Sequence, residues 1–304
     1  MERCNVPVAL IFFNRPQTLK KVFDAVAQVQ PKQLFFIQDG PREGHEEDAV
    51  NIVSCRKIVE DITWDCEIYR NYSEINLGCG ERPRSGITWV FEQVDRAIIL
   101  EDDCVPELSF FRFCEILLEK YEMDTRVGMI SGLNHFVQWN TGGSSYFFSK
   151  AGANSGWATW KRVWVTYDFQ LKLLKNQHVI RLLKGSFLTK RIERAIVKRF
   201  LHTRKRIEHK EKISYWDIQL EANKYLYHWL AIIPQKNMIC NIGTGDGATH
   251  NKAESPFNHL PVYHQEHLIH PKYLMQDVLY DRKYYRIIYP AISKRIYLKL
   301  RSLK

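Results

Sequence analysis

The sequence predicts an α/β fold built on a Rossmann-like central sheet with flanking helices, followed by a helical, basic C-terminal portion. Two observations carry the first half of that expectation. Short apolar runs alternate with segments whose apolar residues recur at helical spacing, and the chain, 304 residues at 45% hydrophobic content, is long and apolar enough to bury a sizeable core. A third, the distribution of charge, sets the second half apart. Residues 1–150 hold 16 Lys and Arg against 23 Asp and Glu, a balance of −7, so of the net +10 the remainder carries +17.

Residues 8–13, VALIFF, read as a first strand buried on both faces. Leu19, Val22, Phe23, Val26 and Val29 then follow at helical spacing until Pro31. Residues 34–38 read as strand, 46–61 as helix and 66–70 as a short strand. Residues 76–86, NLGCGERPRSG, read as a loop on their glycines, ahead of a helix that ends near Val94. Residues 97–100 are the next strand. Leu108, Phe111, Cys114, Leu118 and Tyr121 mark one apolar face of a helix, and residues 127–131 are one more strand. No internal repeat or low-complexity linker divides the chain, which predicts one continuous domain whose second half decorates the first.

No apolar run approaches the roughly 20 residues that a spanning helix requires. The N-terminal residues do not read as a secretion signal, because Asn14, Arg15, Pro16, Lys20, Lys21 and Asp24 interrupt the apolar stretch before any small-residue cleavage site. Seven scattered cysteines form neither a Cys-x-x-Cys nor a zinc spacing, which fits a reducing cytosol. The basic excess lies largely in residues 184–212 and 284–304, interleaved with apolar and aromatic residues. Two readings fit that pattern: a face for an anionic membrane, an acidic acceptor or a nucleic acid, and an ordinary solvated helix face.

In open α/β sheets, ligands bind beyond the carboxyl ends of the strands. The polar residues that follow the strands are therefore the candidates: Asn14 and Arg15, Asp39 and Gly40, and the run Glu101, Asp102, Asp103. Three adjacent carboxylates repel, and each resists ionisation beside the others unless a cation joins them. A hard divalent cation, Mn²⁺ or Mg²⁺, would clamp phosphate oxygens there with few protein ligands; zinc does not suit the donor set. The alternative is that the acids only cap the following helix, and Asn14, Arg15 and Asp39 likewise fit plain turns.

Several motifs in order carry a resemblance over roughly residues 6–250: VALIFFNRP, FIQDGPREGHEED, NLGCGERPRSGITWVFEQVDRAIILEDDCVP, NSGWATW, YWDIQLEAN and NIGTGDGATH. Together they resemble the GT-A nucleotide-sugar glycosyltransferases. The likeness is to the inverting N-acetylglucosaminyltransferases with an EDD motif and to bacterial family 2-like enzymes of the same build. The resemblance implies that Asn14, Arg15 and Asp39 line the base and ribose pocket, that Glu101 and Asp102 lie near the donor's ribose and sugar, and that Asp103 ligates the metal bridging the diphosphate. It places Trp157 on the wall beside the sugar, although a core role fits that residue equally. His250 becomes a second metal or diphosphate ligand from a glycine-rich loop. Arg82 and Arg84 are candidates to meet phosphate.

An inverting transfer also needs a base for the acceptor hydroxyl. By resemblance that is Asp217, with Glu221 one turn later as the second candidate. The family carries two adjacent acids here, whereas Ile218 follows Asp217 in this chain. A helix-start acid serving only the dipole is the other reading of Asp217.

The expected boundaries are a GT-A domain at 1–255, comprising a nucleotide-binding half at 1–135 and an acceptor half at 136–255, then a basic extension at 256–304. The expected donor is a nucleoside diphosphate sugar, with UDP-sugar as the default by resemblance. The expected acceptor is a glycan or lipid-linked precursor, with an anionic membrane surface as a further partner, no nucleic acid, and a cytoplasmic or peripheral location. A sugar nucleotidyltransferase is the alternative enzyme, though residues 12–18, FFNRPQT, lack its glycine cluster. A non-catalytic binding protein of the same fold, docking on membrane or nucleic acid, is the alternative outside catalysis.

Overall fold

The computed structural model describes residues 3–243 and 255–290. In chain order these form β1 (Val8–Phe12), α1 (Pro16–Val29), β2 (Gln33–Gln38), α2 (Glu46–Glu60), β3 (Glu67–Tyr72), α3 (Gly78–Gln93), β4 (Arg96–Glu101), β5 (Cys104–Pro106), α4 (Ser109–Lys120) and β6 (Val127–Ser131). There follow β7 (Tyr146–Ser149), β8 (Trp157–Trp160), α5 (Lys161–Trp164), a 3-10 turn at Lys172–Lys175, α6 (Gln177–Lys184), α7 (Lys190–Glu208), α8 (Asp217–Leu226), β9 (Leu230–Pro234), β10 (Ile239–Asn241) and α9 (Val278–Ile288).

Eight strands make one mixed sheet in the order β3-β2-β1-β4-β8-β6-β9-β7. The first four run parallel, with Leu10 of β1 level with Phe36 on one side and Leu100 on the other. The next, β8, runs antiparallel to both of its neighbours, with Ile99 opposite Trp157. Helices cover the sheet, so its central strands are buried along their whole length and read as continuous apolar runs. This is the Rossmann-like mixed sheet with flanking helices that the sequence predicts.

A small second sheet pairs β10 with β5, bringing Asn241 level with Cys104 beside the acid run. No disulfide links the seven cysteines. Among the described residues no helix is long and apolar enough to cross a membrane.

Two expectations need correction. The glycine-rich stretch is helical from Gly78 onward. Its glycines serve close packing: a Cβ at Gly80 would run into the Ile213 backbone, and one at Gly86 into the Ile37 side chain. The segment after 255 is also not a separate appendage over its described length. Gln276 bridges to Phe148 of β7, and Tyr280 of α9 is fully buried among Phe136, Trp139 and Phe147 with ring centroids 4.7–5.1 Å apart.

Candidate functional site

The carboxyl ends of β1 and β4 place Arg15 against the acid run. Asp102 is buried, and its carboxylate accepts from the Phe13 amide at 3.3 Å and from the Arg15 guanidinium, whose Nη2 also reaches Asp103 Oδ2 at 3.0 Å. Burial alone would lower the Arg15 pKa, but Asp102 and Asp103 outweigh it and hold the guanidinium firmly charged.

Among the described residues one cation, Arg15, thus faces the three acids. Burial, reinforced by Asp103 and Asp102, pushes Glu101 up to about 8, and Asp217 adds to the shift. Asp102 is raised by burial and by Asp103, against the pull of Arg15. The run is therefore under-compensated, and Glu101 resists ionisation beside its two neighbours. The Cys104 thiol donates to Asp103 Oδ1 at 3.3 Å.

Among the described residues no three His, Cys, Asp or Glu side chains gather as a ready-made coordination sphere. A hard cation that takes most of its ligands from water and phosphate would suit this donor set, with Asp103 as the protein ligand it would use; Glu101 has no hydrogen-bonding partner among the described residues. Gly243 lies so close to Asp103 that a Cβ there would strike the carboxylate. His250 lies outside the described residues.

On the neighbouring helix start, Asp217 opens α8, is exposed, and makes no hydrogen bond or ion pair among the described residues. It lines a cavity of about 140 Å³ together with Glu221, Arg199 of α7, Asn154, and Tyr284 and Tyr289 at the end of α9. Glu221 is ion-paired to Arg199, so of the two acids Asp217 is the one with a carboxylate open to a substrate.

Beneath the cavity, Lys150 Nζ donates to the carbonyls of Lys224 and Trp229 at 2.7 Å each, and Lys224 Nζ donates to Gly152 at 2.9 Å. Burial, with Lys224 adding, pulls Lys150 down to about 7, and burial lowers Lys224 to about 8. These bonds tie residues 150–152 to the helix that carries Asp217. Sequence reasoning missed Lys150, Lys224, Arg199 and the α9 tyrosines. Only the aromatic spacing of Tyr284, Tyr285 and Tyr289 offered a local signal, and nothing local linked it to residue 217.

Other candidates are engaged within the framework. The buried Asp39 carboxylate accepts from the amides of Gly40 at 3.0 Å and of Leu77 and Gly78 at 2.8 Å, which caps the start of α3. Arg82 is buried, with Nε on the Gln38 carbonyl at 3.1 Å and Nη2 on Asn71, so its guanidinium is not left open for phosphate. Arg84 pairs with Glu81 and lies over the Phe169 ring. Asn14 donates to Asp48 at 2.5 Å, and Arg42 binds the same buried carboxylate at 2.7 and 2.8 Å. The Arg42 hydrogen bond holds Asp48 down at about 2. Trp157 is 1% exposed and stacks on Trp216 at 5.9 Å, which makes it a core residue rather than a sugar wall.

No protein-family model matches the chain, and no curated protein matches it. Among solved structures it is similar to residues 1–349 of TarS from S. aureus, at 8% identity and a TM-score of 0.40, over 77% of this chain and 59% of that one. It is also similar to HddC from Yersinia pseudotuberculosis, at 11% identity and a TM-score of 0.30, over 56% of this chain and 86% of that one. The chain therefore spans less than two thirds of the TarS segment, and both likenesses are partial.

Proposed function

We propose that this chain is a glycosyltransferase that moves a sugar, with inversion, from a nucleoside diphosphate sugar to a hydroxyl of a glycan or lipid-linked precursor. UDP-sugar is the donor class carried by the sequence resemblance. One observation carries the reading: the Asp217 carboxylate, without a partner among the described residues, opens a helix within electrostatic reach of Glu101 in the strand-end acid run and faces a cavity of its own. The donor would then lie along the acid run, with the acceptor hydroxyl held between its anomeric carbon and that carboxylate.

In this reading Asp217 takes the proton of the acceptor hydroxyl as its oxygen bonds to the anomeric carbon and the bond to the diphosphate breaks. Arg15 holds Asp102 and Asp103 in place beside the donor. A Mn²⁺ or Mg²⁺ ion at Asp103 would neutralise charge on the departing diphosphate. Arg199 keeps Glu221 aside from the proton transfer and, with Tyr284 and Tyr289, forms the wall against which an acceptor sugar would lie.

The test is thermal stabilisation by a panel of nucleoside diphosphates and sugar nucleotides, with and without Mn²⁺. A ligand that binds only the folded state stabilises it by RT ln(1 + [L]/Kd). One nucleotide is expected to stabilise the protein only with metal, and Asp103→Ala is expected to abolish the effect. Asp217→Asn should retain that stabilisation while donor turnover falls by about 10²–10⁴. Stabilisation by anionic lipid or nucleic acid and by no nucleotide would replace the enzyme with a binding protein.

A further inference from the structure

The fold sorts the basic segment into two faces of α7. Ile192, Ile196, Val197, Phe200 and Thr203 are buried against the 3-10 turn, α6 and α8. On the other face Arg191, Arg194, Lys198, His202 and Lys205 are exposed at successive spacings of 3, 4, 4 and 3 residues. At about 1.5 Å of rise per residue this cationic stripe is about 21 Å long.

The stripe is not laced with acids. Among the described residues the ion pairs of α7 are made by its other residues: Lys190 with Glu193, Arg199 with Glu221, Arg204 with Glu208, which also meets Lys175, and Arg206 with Glu211. Among the described residues, Arg191, Arg194, Lys198 and Lys205 form none. Like charges one turn apart, such as Arg194 and Lys198, weaken a helix, and a merely solvated face gains nothing by keeping them. On the two elements that pack against α7, Leu173 in the 3-10 turn is 43% exposed and Leu182 in α6 is 60% exposed, each next to exposed lysine or arginine in sequence. Unpaired cations with bare leucines on adjoining elements match the chemistry of a lipid headgroup layer over acyl chains.

We propose that the outer face of α7, with Leu173 and Leu182, docks this protein on an anionic membrane surface. The inference does not depend on the transferase reading, because no residue of the stripe belongs to the candidate site. The opposing charge on the lipid offsets the like-charge repulsion along the helix, and the leucines distinguish a bilayer from a soluble polyanion.

The full chain is sedimented with vesicles of phosphatidylcholine alone and of phosphatidylcholine with phosphatidylglycerol. Binding is expected only to the anionic vesicles. It should fall at least tenfold when NaCl rises from about 0.1 M to about 1 M, where the screening length shrinks from about 10 Å to about 3 Å. The triple variant Arg191→Glu, Arg194→Glu, Lys198→Glu should lose at least tenfold in affinity with an unchanged melting temperature, since all three side chains are exposed. Leu182→Ser should weaken vesicle binding severalfold and leave heparin binding unchanged. Vesicle binding that survives the triple charge reversal overturns the assignment to α7, and absence of binding to anionic vesicles overturns the proposal. Heparin binding lost in the triple variant, with vesicle binding indifferent to Leu182→Ser, reassigns the face to a soluble polyanion.

Discussion

Single side chains in this protein take their roles from what the fold places beside them. His135 is 7% exposed, with Nδ1 3.1 Å from the Tyr280 hydroxyl and its ring against Phe257 and Tyr284. Burial, with Lys224 adding, depresses its pKa to about 3, against 6.5 for the free side chain. The folded chain therefore refuses a proton that the unfolded chain accepts, and stability falls as pH drops from 6.5 toward 3. The loss amounts to about 3 kcal/mol at pH 4. His135→Gln is expected to remove that share of the acid sensitivity. Urea midpoints at pH 4 and pH 7 check it, and an equal pH dependence in both proteins would refute it. The sequence showed three acids after an apolar strand, and the acid run stands where that pattern put it. It did not show the use of Asp39, because the amides of Leu77 and Gly78 that claim its carboxylate lie 38 and 39 residues away.

Among the elements, the inner parallel strands β1, β2 and β4 were legible because burial on both faces writes them as apolar runs. The start of α3 was not. Glycine lowers helix propensity, and tertiary contact overrode it. The Asp39 carboxylate satisfies the first amides of this helix, and the bare Cα of Gly80 lets the Ile213 backbone lie against it. In a helix interior an alanine normally stabilises by about 1 kcal/mol over glycine. Here Gly80→Ala is expected to destabilise by about 1–3 kcal/mol instead, because the colliding atoms are backbone that cannot rotate away. The same clash would press on residues 213–215, just ahead of Asp217, so donor turnover should fall together with the melting temperature. A melting temperature at or above that of the parent chain would show that the two segments are free to separate.

At the scale of the whole molecule, the C-terminal segment closes the body. Tyr280 and Tyr285 of α9 are buried at 0% and 3% exposure, in two different apolar clusters. Losing either ring costs about 3–5 kcal/mol by analogy with truncated core aromatics, and the total stability of a domain is about 5–15 kcal/mol. A chain stopped at Met275 should therefore be insoluble or show no cooperative urea transition. A soluble truncation with an unchanged midpoint would mean that α9 is peripheral. Composition alone described this segment as basic and set it apart. Its buried tyrosines could be assigned only once β7 and α8 were in place to receive them.

The insertion of β8 between β4 and β6 also has a consequence during synthesis. When the first 150 residues have left the ribosome, β4 has β1 on one side and a bare row of amides and carbonyls on the other, in what will be the middle of the sheet. The strand that belongs there, Trp157–Trp160, is made after β6 and β7, and β9, which seals the far side of β6, comes some seventy residues later still. A nascent chain of this protein therefore carries an open, apolar strand edge for much of its emergence. A longer wait of that edge for its partner is expected to lower the yield of folded chain.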